Sequence, residues 1–118
     1  MTAVEHDKLT TMGAMAAYHA GVRPNEVVMS FEGRETTFAE FDAHTNQIAN
    51  GLVALGVKPG QRVCYIGKNT DWYFEAWFGA AKMGAVMTPI GWRLAPPEMA
   101  FIIDDSDAAA VFVGEEFV

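Results

Sequence analysis

The feature that most constrains this chain is an alternation of short apolar runs and helical repeats in its second half. Runs of strand length occupy residues 62–66, 85–90 and 109–113, and two segments with helical spacing separate them. Short connections of this kind favour parallel strands joined by right-handed crossovers. The sequence therefore predicts an α/β fold in which residues 62–118 form a β-α-β-α-β unit.

The first helix of this unit has recognisable ends. It is predicted from Asp71 to about Met83, because Asn69 or Thr70 can cap its start and Gly84 can stop it. Its spacing predicts an apolar face made of Tyr73, Phe74, Trp77, Phe78 and Ala81. The aromatic side chains could flank an aromatic ligand, but core packing is the favoured interpretation.

Residues 26–61 predict a hairpin followed by a strongly marked helix. Two short runs flank Glu32-Gly33, where glycine supplies the positive φ of a tight turn. Thr37 and Glu40 have the spacing of a capping box, and Gly56 suits a left-handed helix end. The apolar stripe between them is predicted to comprise Phe38, Phe41, Ile48, Leu52 and Leu55.

Residues 1–25 predict a peripheral N-terminal helix. Thr10 or Thr11 can cap it, and Met12, Met15 and Ala16 are expected to face inward. The apolar stretch has no basic region ahead of it, so the segment does not fit a secretory signal. Since no long linker or repeat interrupts the chain, we expect a single domain over residues 1–118.

The net negative charge of the chain disfavours some classes of binding partner. The chain has 15 acidic and 8 basic residues and a formal net charge of -7, which disfavours binding to nucleic acid or anionic lipid. The one cysteine, Cys64, lies in an apolar run and is expected to be a small buried hydrophobe, as suits a cytoplasmic protein. No apolar run reaches membrane-spanning length, so no transmembrane segment is expected.

Complete catalytic motifs are missing from the sequence. Neither common glycine-rich phosphate loop occurs, and the nearest candidate for a weak anion site is residues 67–70 (GKNT), for which a helix-capping loop is favoured. His6, His19 and His44 are scattered, so no metal is expected and solvated histidines are predicted. The acids Asp104, Asp105 and Asp107 lack the remainder of a calcium loop and are expected to be a solvated helix end.

The order of four segments resembles a known family. TFAEFD at residues 37–42, LVALGVKPGQRV at 52–63, KMGAVMTPI at 82–90 and WRLAPPEMAFIIDDSDAAAVFV from Trp92 onward are similar to the N-terminal part of the adenylate-forming acyl-CoA synthetases. That AMP-binding superfamily also includes luciferases and peptide-synthetase adenylation domains. The resemblance implies a partial N-terminal subdomain of an acyl-CoA synthetase-like fold, so that residues 1–118 would be a single incomplete domain.

The resemblance also implies a function for a longer parent protein. Such enzymes use ATP, Mg and coenzyme A to convert a carboxylic acid, here expected to be a fatty acid, into an acyl-adenylate and then an acyl-CoA. Their phosphate loop, adenine-binding residues and mobile lysine come later in the chain. We therefore expect this chain to be inactive by itself, with no catalytic residue and no tightly bound cofactor.

One loop is nominated for ligand contact by the resemblance. Gly91, Trp92 and Arg93 follow a predicted strand, and the corresponding loop in some acyl-CoA synthetases borders the coenzyme A site. Tryptophan can stack on adenine and arginine can pair with phosphate. A packed Trp92 and a solvated Arg93 remain the structural alternative. Many relatives that share the W-R-L run have asparagine in place of Gly91.

Two alternatives stay open from the sequence. A stand-alone, non-catalytic binding or assembly module would have kept the scaffold without the chemistry. A small nucleotide-binding protein of the flavodoxin type would place its ligand at the carboxyl ends of the strands, although the missing glycine-rich loop argues against it. If the chain is a fragment, its uncovered surfaces favour self-association.

Overall fold

A computed structural model describes residues 11–118 of the chain. Its helices and strands, in order, are α1 (Met12–Val22), β1 (Val27–Phe31), β2 (Arg34–Thr37), α2 (Phe38–Ala54), β3 (Arg62–Ile66), α3 (Asp71–Lys82), β4 (Val86–Ile90), α4 (Pro96–Asp105) and β5 (Ala110–Val113). A 3-10 turn at Glu115–Phe117, which the sequence analysis did not predict, follows β5.

The second half of the chain forms the predicted parallel sheet. The strand order is β4-β3-β5, so β3 is central, and Cys64 lies opposite Thr88 on one side and Val111 on the other. The β-α-β-α-β prediction is confirmed. A continuously apolar β3 suits this position, because a central parallel strand is buried on both faces.

Alternate residues of β3 belong to two separate cores. Val63 packs with Leu52, Val57, Ala80 and Ala85, on the side of the sheet that α2 and α3 cover. The opposite face presents Cys64 and Ile66, which pack with Ile90 and with the apolar residues of α4: Met99, Ile102 and Ile103. The fold therefore has three layers, which are the helices α2 and α3, the parallel sheet, and the helix α4. Cys64 is a small buried residue, as the sequence predicted.

The local signals of the hairpin and α2 are confirmed. Glu32 and Gly33 both have positive φ, as a type I′ turn requires. The Glu40 amide donates to Thr37 Oγ1 at 3.2 Å, and Glu40 Oε1 accepts from the Thr37 amide at 2.9 Å. The hydrogen bond from the Thr37 amide also lowers the pKa of the Glu40 carboxyl. At the other end Gly56 has a φ of 93°, and Val57 folds back to donate to the Leu52 carbonyl at 3.0 Å.

The predicted apolar stripe of α2 is wrong at two positions. Leu55 is 77% exposed, because it occupies the helix C-cap, where the chain turns away from the core. Thr45 is instead fully buried, and its hydroxyl donates to the Phe41 carbonyl at 2.8 Å. This back-bond satisfies the polar atom and allows a threonine to replace an apolar residue at the helix interface.

The buried face of α3 differs from the aromatic face that the sequence predicted. Ala76, Gly79 and Ala80 are buried, whereas Phe74, a member of the predicted face, is 38% exposed. A Cβ atom placed on Gly79 would lie 2.5 Å from Ile48 Cγ2. Small residues therefore bring α3 close to α2, and the aromatic rings lie beside this contact.

The N-terminal helix extends further than predicted. Thr11 caps it, since its Oγ1 accepts from the Ala14 amide at 3.0 Å, and the helix continues through Gly21 to Val22. Thr10, the other candidate cap, lies outside the described residues. Ala16 is buried as expected, but Met15 is 39% exposed. None of the helices within residues 11–118 is long and apolar enough to cross a membrane.

Candidate functional site

The carboxyl ends of the three parallel strands bring together loops that are far apart in the sequence. The loop after β3 leads to α3 on one face of the sheet, and the loop after β4 leads to α4 on the other. Ligands of open α/β sheets bind in the crevice where successive connections leave in opposite directions. This edge, which we call the carboxyl edge, contains residues 67–70, 91–95 and 114–117.

Trp92 is the centre of the carboxyl edge. Its half-buried ring has Lys68 Nζ at 4.8 Å and Arg93 Cζ at 4.7 Å from a ring centroid, and Phe117 contacts it with a centroid separation of 5.8 Å. The indole already makes two cation–π contacts and one aromatic contact. These neighbours leave less of the ring available for stacking by a base.

The two cations beside Trp92 differ in their surroundings. Lys68 also forms an ion pair with Glu116 at 3.5 Å, and both side chains are about half exposed. Arg93 is exposed, and no ion pair involving it is found within residues 11–118. Arg93 is therefore the cation of this edge with more capacity for an anionic ligand.

The GKNT loop is packed as a helix cap. The Tyr65 ring covers Gly67, where a Cβ would lie 2.8 Å from Cε1, and the Tyr65 hydroxyl lies 3.4 Å from both the Lys68 carbonyl oxygen and Thr70 Oγ1. Thr70, rather than Asn69, caps α3 by accepting from the Tyr73 amide at 3.3 Å. The helix-capping interpretation of this loop thus agrees with its contacts.

Gly91 is not required by backbone geometry. Its φ lies outside the left-handed region, and an added Cβ would make only an ordinary contact of 3.5 Å with Leu94. A residue with a Cβ atom therefore fits the backbone at this position.

A cleft of about 450 Å³ adjoins the carboxyl edge on the side of the hairpin. Its lining residues include two cations, three carboxylates and aromatic rings: Phe31, Glu32, Arg34, Tyr65, Lys68, Thr70, Trp72, Gly114, Glu115 and Glu116. The cations are outnumbered, and Arg34 is already paired. This cleft has no net attraction for an anion.

The sequence analysis missed an ion pair beside this cleft, between the buried Asp71 and Arg34, whose side chain is 46% exposed. Arg34 Nε donates to Asp71 Oδ2 at 3.2 Å, and Nη2 donates to Oδ1 at 3.0 Å, while the Asp71 side chain is 6% exposed. The guanidinium lies over the Trp72 ring at 4.7 Å. Its hydrogen bonds hold the pKa of the Asp71 carboxyl below the ordinary value and raise that of Arg34. The pair fastens the hairpin to the start of α3.

The prediction of solvated histidines is wrong for His19, whereas His44 is exposed as predicted and also makes an ion pair. His44 Nδ1 pairs with the buried Glu75 carboxylate one turn along α3 from Asp71. His19 is half-buried and packs on the Phe38 ring at a centroid distance of 5.1 Å. Tertiary neighbours that no short spacing reveals produced both outcomes. His6 lies outside the described residues.

The residues from 11 to 118 do not provide a metal site. No group of three or more histidine, cysteine, aspartate or glutamate side chains converges within them. The acids at the end of α4, Asp104, Asp105 and Asp107, are exposed, as the sequence predicted.

Comparisons with known proteins agree on one family. The family model described as AMP-binding enzyme matches residues 16–118. Fatty acid–[acyl-carrier-protein] ligase ScoC from Streptomyces coeruleorubidus is 38% identical over 117 residues, which are 99% of this chain and 22% of that protein. Long-chain-fatty-acid–CoA ligase FadD13 from Mycobacterium tuberculosis is 42% identical over 78 residues, 66% of this chain and 16% of that protein.

The fold comparison gives the same result. A Mycobacterium tuberculosis fatty acyl CoA synthetase superimposes with a TM-score of 0.88 and 35% identity, over 95% of this chain and 23% of the other. The chain thus spans about a fifth of the length of the curated relatives that it matches. The expected α/β fold, similar to the N-terminal domain of these ligases, is confirmed.

Proposed function

The chain belongs to the family of AMP-binding enzymes, and we propose that it forms the N-terminal part of a carboxylic acid–CoA ligase and is not catalytic by itself. The observation that carries this proposal is the match of residues 16–118 to a family whose curated relatives are about five times longer. The proposed parent converts a carboxylic acid and ATP into an acyl-adenylate and pyrophosphate, and then transfers the acyl group to a thiol.

The role proposed for this segment is that of a scaffold. Caps, turns and two apolar cores account for most of its distinctive residues. The β5 edge is unpaired within residues 11–118, and Val111 and Val113 on it are partly exposed. Such an edge can pair with a further strand or with another copy, so self-association of the isolated chain is part of the proposal.

The acceptor thiol has two candidates. ScoC is named as a ligase for an acyl-carrier protein, whereas FadD13 is named as a CoA ligase. We favour coenzyme A, because Arg93 presents an exposed cation beside an aromatic ring at the carboxyl edge, which suits a phosphorylated small molecule. Transfer to a carrier protein is the second candidate, supported by the ScoC match.

We propose that Gly91, Trp92 and Arg93 form the coenzyme A side of this edge. Gly91 has no side chain to obstruct it, and Arg93 is exposed, so a phosphate can approach the guanidinium without breaking an ion pair found here. Trp92 is already enclosed by its neighbours, so its role is to hold the cations in place. The adenine need not displace it.

The proposed role of Arg93 predicts a selective kinetic defect. When it is introduced into the full-length native polypeptide, the substitution Arg93→Ala is expected to raise KM for coenzyme A about tenfold, because a charge-assisted hydrogen bond to phosphate is lost. Adenylate formation, followed as ATP–pyrophosphate exchange, should stay unchanged. The matched control is Arg62→Ala, an exposed arginine at the amino end of β3. Equal effects of the two substitutions on KM would remove Arg93 from the site.

The proposal that the chain is part of a larger enzyme is tested by mass and activity together. We expect an intact mass several times 12.9 kDa for the native polypeptide, and ATP–pyrophosphate exchange with fatty acids by that polypeptide. The 118-residue chain alone should show no exchange. A native mass near 12.9 kDa would instead support the stand-alone binding module, and exchange by the short chain would contradict its assignment as non-catalytic.

A further inference from the structure

Two acidic side chains of α3 are buried, and each pairs with a side chain from an element packed against the helix. Asp71 pairs with Arg34 of β2. Glu75 lies one helical turn further along α3 and pairs with His44 of α2. Arginine stays charged throughout the physiological pH range, whereas histidine as a residue type loses its proton at about pH 6.5. The two pairs should therefore respond differently to pH.

The buried Glu75 carboxylate depends on His44 for a counter-charge. The Glu75 side chain is 8% exposed, and its Oε2 pairs with His44 Nδ1. No lysine or arginine pairs with Glu75 within residues 11–118. A buried carboxylate loses its hydration, and a partner of opposite charge offsets that loss. The free-energy cost of burying Glu75 thus depends on whether His44 carries a proton.

The surroundings of this pair are acidic. Its neighbours on α2, on α3 and in the turn after β5 include four further carboxylates, which are Glu40, Asp42, Asp71 and Glu115. The charges of Glu40 and His44 interact directly. Glu115 lines the same groove as Glu75, together with Ile48. A positive charge on His44 is therefore surrounded by negative charge.

The neighbouring cations do not replace His44 as the partner of Glu75. Asp71 and Asp42 already engage these cations, which are Arg34 and Lys82. No cationic side chain among residues 11–118 lines the groove beside Glu75. Tyr65 does line it, and its phenol is of a type that is neutral at physiological pH. Compensation of the Glu75 charge thus rests on His44.

We propose that His44 and Glu75 form a pH-sensitive clasp between α2 and α3. When His44 is protonated, the contact is a charge-assisted hydrogen bond, which is about twice as strong as a neutral one. When His44 is neutral, its Nδ1–H can still donate, but the Glu75 charge stays buried without compensation. The clasp is tight in acid and loosens as pH rises through the range in which histidine titrates.

Thermal unfolding at several pH values tests the role of the charge. His44→Gln keeps a hydrogen-bond donor at the position but cannot become charged. The Tm of the unaltered chain relative to His44→Gln is therefore expected to fall by about 4 °C between pH 5.5 and pH 8.5. Differences that do not depend on pH, such as helix propensity, cancel in this comparison. So do the contributions of other titrating groups, including His19.

Two further variants separate charge from partner. His44→Arg stays charged, so its Tm relative to His44→Gln should not change over the same pH range. In a Glu75→Gln background, the pH-dependent difference between histidine and glutamine at position 44 should disappear. A difference that survives there would assign the effect to another carboxylate, such as Glu40, and would overturn the clasp. A difference that is constant with pH in the chain with Glu75 would do the same.

Hydrogen exchange in the full-length native polypeptide tests the clasp where the rest of the protein is present. At pH 5.5, the amides of α3 should exchange about threefold faster in His44→Gln than in the unaltered protein, and at pH 8.5 the two should exchange equally. Comparison at the same pH removes the intrinsic pH dependence of exchange. Equal exchange at both pH values would overturn the proposal. The clasp concerns the contact of α2 with α3 and does not rest on the ligase proposal.

Discussion

Replacing Gly79 by valine is expected to prevent the chain from folding. Replacing it by alanine should lower the free energy of unfolding by about 2–3 kcal/mol, which is at the upper end of the values for an overpacked core. A Cβ here would lie 2.6 Å from Ile48 Cβ and 3.1 Å from the Thr45 carbonyl oxygen. Neither atom is the far end of a flexible side chain. The two helices must therefore separate, and valine forces them further apart than alanine does.

Gly51 provides the matched control for Gly79. It also lies within a helix, α2, but an added Cβ would meet nothing within 4 Å. Gly51→Ala should therefore stabilise the chain by about 0.5–1 kcal/mol, because alanine loses less conformational freedom in a helix than glycine does. Urea unfolding followed by circular dichroism measures both variants. Similar midpoints for Gly79→Ala and Gly51→Ala would show that α2 and α3 do not touch as described.

The second large effect is expected from Arg34→Met. The substitution keeps an apolar stem beside Trp72 but leaves the Asp71 carboxylate buried without its guanidinium. Asp71 is the buried partner and Arg34 is about half exposed. Removing the cation alone is more harmful than removing both charges, since an uncompensated carboxylate stays in the interior. We expect Tm to fall by several degrees at neutral pH. The double variant Arg34→Met with Asp71→Asn should recover part of the loss.

The effect of this pair should depend on pH in a defined direction. Arg34 lowers the pKa of Asp71 in the folded chain, so the pair stabilises the fold above the ordinary aspartate pKa of about 3.9. That contribution is lost as pH falls through the lower, folded-state value. The stability difference between Arg34→Met and the unaltered chain should therefore shrink in acid. A difference that is constant from neutral pH to acid would contradict the charge argument.

An exposed ion pair supplies the comparison for Arg34. Lys68 and Glu116 are 3.5 Å apart and about half exposed, so their attraction is weak in water. Lys68→Met should leave Tm nearly unchanged at any pH between neutral and acid. If Lys68→Met and Arg34→Met lowered Tm equally, burial of Asp71 would not explain the effect.

The sequence determined those features whose hydrogen bonds close within a few residues. The capping box of Thr37 and Glu40 joins residues three positions apart, and the left-handed Gly56 ends the same helix. The alternation of apolar runs likewise predicted the parallel sheet, because the short runs have the length of strands and the segments between them have the spacing of helices. The carboxyl edge followed from that topology, and with it the position of residues 91–93.

Tertiary structure alone decided which surfaces meet. Aromatic residues dominate the hydrophobicity of α3, yet close approach to α2 favours the small residues Ala76, Gly79 and Ala80, and no periodicity in α3 reveals how near α2 comes. Arg34 and Asp71 pair across 37 positions, and their spacing in sequence carries no signal of this contact. Side-chain chemistry within a few residues fixed the local structure, whereas distances between elements fixed the ion pair of Asp71 and the close contact of α2 with α3.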